Sequence, residues 1–93
     1  MSSYSSDQQV ANATADAQMV PTTQRARLTG IQAEGASGSK IIFKSGGSGG
    51  TAIATFEFGS EGIDFYVPGS GILFEEGIYL DLTATPSVTI TFT

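Results

Sequence analysis

Residues 77–92 read Gly77-Ile78-Tyr79-Leu80-Asp81-Leu82-Thr83-Ala84-Thr85-Pro86-Ser87-Val88-Thr89-Ile90-Thr91-Phe92. Ile78, Leu80 and Leu82 alternate with Tyr79 and Asp81, and Val88, Ile90 and Phe92 alternate with Ser87, Thr89 and Thr91. A period of two places alternate side chains on opposite faces of an extended strand, so each run has one apolar and one polar face. Gly77 and the Ala84-Thr85-Pro86 break bound the runs. This stretch therefore predicts two strands, each burying one side.

The same grammar extends upstream. Ile63, Phe65 and Val67 alternate with Asp64 and Tyr66; Ala52, Ala54, Phe56 and Phe58 are predicted to share one face of a strand over 51–58. Lys40-Ile41-Ile42-Phe43-Lys44 is an apolar strand bounded by charges, and residues 71–75 carry Ile72, Leu73 and Phe74. Residues 25–34 form a strand through Leu28 and Ile31, with Gly30 as a bulge. Glycine-rich turns at 35–38, 45–50, 59–62 and 68–71 divide these runs. The expectation is an all-β fold: an antiparallel β-sandwich or jelly-roll-like module of about seven short strands over residues 23–93.

Residues 1–22 are small and polar, and their larger apolar groups are Tyr4, Val10, Met19 and Val20. That is too little to form a core, so the segment is expected to be a flexible or partner-bound N-terminal arm ending at Pro21. Two conformations stay open. Asp7 can cap a short helix running to Gln18, whereas Ala11, Ala13, Ala15 and Ala17 alternate with polar residues as in a strand laid on another surface. Val10, Met19 and Val20 are the candidate contact residues of that arm.

Composition removes several functions. The chain has 93 residues, enough for one domain, and contains no Cys and no His. No disulfide, zinc finger, thiol nucleophile or Ser–His relay is therefore available. Four basic residues against nine acidic ones argue against nucleic-acid binding. No apolar run approaches the roughly 18–20 residues of a membrane span, and the start lacks the pattern of a signal peptide. Charge is also segregated, with −2 over 1–24, +3 over 25–44 and −6 over 45–93. Basic and acidic segments are thus placed to pair within one chain or between copies, or to serve as solubility charge.

Single motifs add little chemistry. Ser45-Gly46-Gly47-Ser48-Gly49-Gly50 lacks the Lys-Ser/Thr and helix of a phosphate loop and suits a hairpin tip. Glu57, Glu61 and Asp64 crowd a turn, but their spacing is not that of an EF-hand. Glu75 and Glu76 are adjacent, so in a strand they point apart and cannot flank one glycosidic bond. Tyr66, Tyr79 and Phe74 suggest either strand packing or a sugar-stacking platform. Asn12-Ala13-Thr14 matches a glycosylation sequon. No enzyme activity, metal or cofactor is expected.

Several of these pieces together resemble a known group. Lys40-Ile41-Ile42-Phe43-Lys44 with its glycine tip, Phe65-Tyr66-Val67-Pro68-Gly69-Ser70-Gly71-Ile72-Leu73-Phe74, Gly77-Ile78-Tyr79-Leu80-Asp81-Leu82 and Ser87-Val88-Thr89-Ile90-Thr91-Phe92 are similar to segments of small β-rich virion proteins of tailed phages, especially cyanophages. The similarity spans residues 25–93 and leaves the N-terminal segment outside. It implies a structural protein of the particle: a capsid decoration, or cement, protein on the capsid surface, trimeric and clamping neighbouring major capsid subunits. A tail, fibre or head–tail component is the alternative within the virion, and a small carbohydrate-binding β module the alternative outside it. The small core points the same way. About 70 ordered residues without a staple rarely gain more than about 3–5 kcal/mol, so self-association, as a trimer, is expected.

Overall fold

A computed structural model describes residues 9–93. The described chain is all-β, with nine strands: β1 Gln9–Ala13, β2 Ala17–Val20, β3 Ala26–Glu34, β4 Ser39–Ser45, β5 Thr51–Phe58, β6 Ile63–Tyr66, β7 Ile72–Phe74, β8 Ile78–Thr83 and β9 Ser87–Phe92. All strand pairings are antiparallel. Sheet I runs β1-β9-β3-β6, with β7 also joining β3, and sheet II runs β2-β8-β4-β5. The pairing order is nested: β1 with β9, β2 with β8, β3 with β6 and β7, and β4 with β5. A long hairpin with its tip at 45–50 is thus rolled so that its arms alternate between the two sheets.

The inward faces are those that the alternation marks. Ile78 and Leu80 of β8, Ile41 and Phe43 of β4, Leu28 and Ile31 of β3, and Val88, Ile90 and Phe92 of β9 are buried in one core. Phe43 meets Phe56 edge-on at 5.7 Å and Phe74 at 6.3 Å, and Phe56 meets Phe65 at 5.5 Å. These four rings come from β7, β4, β5 and β6 and fasten sheet I to sheet II. The seven expected strands lie where the pattern places them, with two adjustments. A register shift between Phe43 and Lys44 takes Ile53 out of the ladder, so Ala54, Phe56 and Phe58 pack inward while Ala52 is exposed. The expected bulge of β3 falls between Leu28 and Gly30.

The N-terminal segment differs from the expected arm. β1 adds to the edge of sheet I beside β9, and β2 adds to the edge of sheet II beside β8. The surface on which the alternating alanines lie is therefore the chain's own fold. Ala13 is buried, and Ala11 and Ala17 pack against the core. Val20, expected to be a contact residue of a free arm, is 2% exposed and belongs to the core. Polar side chains fasten the segment further. Asp16 Oδ1 accepts the Leu82 N–H at 2.8 Å, and Gln18 Nε2 donates to the carbonyls of Val20 at 2.9 Å and Gly46 at 3.1 Å. Residue 22 lies in the turn between β2 and β3, and β1 and β2 on its N-terminal side belong to the two sheets. The helix alternative gives way to strands over 9–13 and 17–20, and its cap Asp7, with Tyr4, lies outside the described residues.

Candidate functional site

The outward face of sheet I carries two rows of side chains that cross four strands. Asn12, Thr89, Gln32 and Asp64 are successive cross-strand partners on β1, β9, β3 and β6. Val10, Thr91, Gly30 and Tyr66 form the adjacent row. With about 4.8 Å between strands, each row crosses about 14 Å. Gly30 leaves a gap in the second row. A Cβ there would stand 2.7 Å from Thr91 Oγ1, so this position stays bare.

The gap is the floor of a recess of about 230 Å³, bordered by Gln32, Asp64, Tyr66, Thr89 and Thr91. A second recess of about 300 Å³ lies along the same strands toward Glu34 and Ser87 and shares Gln32 and Thr89. The two form one trough parallel to β3 from Gly30 to Glu34, about 13 Å long. No Lys or Arg lines it; its charged groups are Asp64, level with Gln32 at the middle, and Glu34 at one end.

Its hydroxyls and amides are held in two distinct ways. Asn12 Nδ2 donates to Thr89 Oγ1 and to the Val88 carbonyl, each at 2.9 Å, and lies 3.2 Å from Ser87 Oγ. Thr89 Oγ1 therefore accepts from Asn12, its neighbour in the same row, and keeps its own proton to donate. The Thr29 and Thr91 hydroxyls are 3.0 Å apart and share one hydrogen bond. Among the described residues, the side chains of Gln32, Asp64 and Tyr66 have no hydrogen-bond partner. Asn12, the sequon residue, is thus committed to fixing β9.

The three aromatics of the candidate stacking platform are separated. Phe74 is fully buried, Tyr79 is half-buried on β8 of the other sheet, and Tyr66 is 70% exposed at the trough. Of the candidate contact residues, Val10 is 67% exposed on the β1 edge, Met19 is half-buried against the core and Val20 is interior. Glu57 faces Lys40 in register within sheet II, Glu61 lies in the 59–62 turn and Asp64 lies on sheet I. Among the described residues no three acidic groups converge as a metal cluster. Lys44, the basic group nearest the glycine tip, donates to the Ser48 carbonyl at 2.9 Å and pairs with Asp81 at 3.5 Å. That tip is also tied to the turn before β8, since the Gly46 N–H donates to the Glu76 carbonyl and the Glu76 N–H to Ser45 Oγ, both at 3.0 Å.

Gln32 and Thr89 carry no distinguishing signal in the sequence pattern. Each reads there as an ordinary polar residue on a strand, and only the insertion of β9 between β1 and β3 brings them into one row with Asp64. The chain matches no protein-family model, no curated protein and no solved structure.

Proposed function

We propose that this chain is a structural protein of a tailed-phage virion, a decoration protein that assembles as a trimer on the capsid and clamps neighbouring major capsid subunits. The nested strand pairing is read as a jelly-roll sandwich of eight strand positions, one of them divided into β6 and β7. Viral capsid domains use that architecture, as do lectins, so the fold by itself names no function.

The observation that carries the proposal is the state of the sheet edges. β1 and β2 contain neither a charged residue nor proline, and β5 contains one charge, Glu57. Isolated β-proteins protect such edges with lysines, prolines or covering loops, because an open edge is a template for another strand. Ile53 on β5, Phe65 on β6 and Val10 on β1 add exposed apolar surface at 42%, 41% and 67%. These edges suit strand addition from neighbouring subunits, with Val10 as the contact residue. Threefold repetition raises the avidity of such contacts without strong single ones.

The test has two arms. Native mass spectrometry of the purified chain is expected to give a trimer. Cryo-electron microscopy of particles carrying the tagged protein is expected to place it over the whole shell between major capsid subunits. Density restricted to a vertex or the tail reassigns the chain to a tail or fibre role, and a monomer that binds no particle removes the virion reading altogether.

A further inference from the structure

We infer that the trough on the outward face of sheet I binds a neutral oligosaccharide, with Tyr66 as the stacking surface and Gln32, Asp64 and Thr89 as the hydrogen-bonding groups. The lining decides the ligand class. No basic side chain is present to hold a phosphate, sulfate or carboxylate. The floor consists of sheet backbone whose N–H and C=O groups are already engaged in the β3–β9 and β3–β6 ladders, so an added peptide strand finds no partners there. Asp64 lies level with Gln32 at the middle of the trough and Glu34 at one end, and among the described residues no cluster of three acidic groups forms a cation site.

What remains is a shallow, uncharged-to-acidic trough with an aromatic ring at its rim. Its hydrogen-bonding groups comprise a carboxylate acceptor, an amide that both donates and accepts, and a hydroxyl whose proton is free to donate. A pyranose presents the complement: hydroxyls around its edge, and C–H groups on its faces that pack on an aromatic ring. The state of Tyr66 adds an independent argument. An aromatic residue opposite a strand glycine ordinarily folds over it and covers the exposed backbone. Tyr66 is the cross-strand partner of Gly30, yet it is 70% exposed, and the group closest over Gly30 is the Thr91 hydroxyl rather than the Tyr66 ring. The trough also continues beyond Gln32 into the second recess, which suits a chain of sugars rather than one. It lies on a sheet face rather than an edge, so it stays open when edges engage neighbours, and the inference does not depend on the virion reading.

The experiment is a set of ¹⁵N–¹H NMR titrations of the full chain with cellohexaose, maltohexaose, laminarihexaose and mannohexaose, with a heparin hexasaccharide as the anionic comparison. At least one neutral hexasaccharide is expected to give saturable shifts at Gly30, Gln32, Asp64 and Thr91, and the heparin fragment none. Tyr66→Ala is expected to weaken that binding about tenfold or more while preserving the rest of the spectrum. Tyr79→Ala, on the opposite sheet, is expected to leave it unchanged. Absence of saturable shifts with all four neutral sugars overturns the inference, as do shifts centred elsewhere or undiminished binding by Tyr66→Ala.

Discussion

Gly77 and Ala84 sit in turns on either side of β8 and have opposite relations to their backbone. Gly77 has φ +81°, and a Cβ there would come within 2.4 Å of the carbonyl oxygens of both Val20 and Pro21. Gly77→Ala is expected to destabilise the fold by at least about 2 kcal/mol, through the positive φ and the displacement of β2. Ala84 holds φ +49° with a Cβ already present. Ala84→Gly is expected to stabilise by about 0.5–1 kcal/mol, because removing the Cβ relieves that conformation. Urea unfolding with an unchanged slope and midpoints moving in opposite directions checks both. Phe43 is fully buried and meets one ring of each sheet, and Phe43→Ala is expected to cost about 3–5 kcal/mol, visible as collapse of amide dispersion. Some of this is legible in the sequence: Phe43 is apolar between charges, and Gly77 precedes an alternating run. The different fates of Tyr66 and Tyr79 are not legible, since each occupies an alternating strand beside an acidic residue or near one. Only the order of strands in space shows that one stands by a glycine gap and the other beside Lys44.

At the level of elements, β1 and β2 separate what local pattern can and cannot reveal. Seven strands announce themselves because each carries enough Ile, Leu, Val or Phe to define a face. β1 offers Val10 outward and two alanines inward, so its strand character depends on β9, supplied by residues 77 positions away at the Asn12–Thr89 contact. Pairing over that separation has no local signature, and the alternating alanines therefore read as an arm. A fragment of residues 23–93 exposes the ladders of β8 and β9 and removes Ala13 and Val20 from the core. It is expected to lose most of its cooperative thermal transition, and a synthetic peptide of residues 9–22 added in excess is expected to restore it. Circular dichroism melts of the fragment with and without peptide check this; an unchanged melt of the fragment alone contradicts the incorporation of these strands. Asp16, which caps the Leu82 N–H, is a milder probe, and Asp16→Ala is expected to lower stability by about 1 kcal/mol.

The described residues form a thin slab of 43 × 27 × 19 Å with a single layer of core between the sheets. Such a body has little interior for its surface, and its stability is correspondingly small unless neighbours add to it. If trimerisation supplies part of the stability, the melting midpoint rises with protein concentration by mass action, and differential scanning calorimetry across a hundredfold dilution series is expected to show it. A midpoint independent of concentration confines stability to the single chain. The nested pairing also bears on biosynthesis. While the chain is being translated, β4 and β5 are the first partners able to meet, whereas β1 must wait for β9, almost the whole sequence later. Until β9 emerges, β1 therefore has no mate. Closure of that pair is kinetically late, leaving an interval in which the orphaned strand is open to capture by another copy.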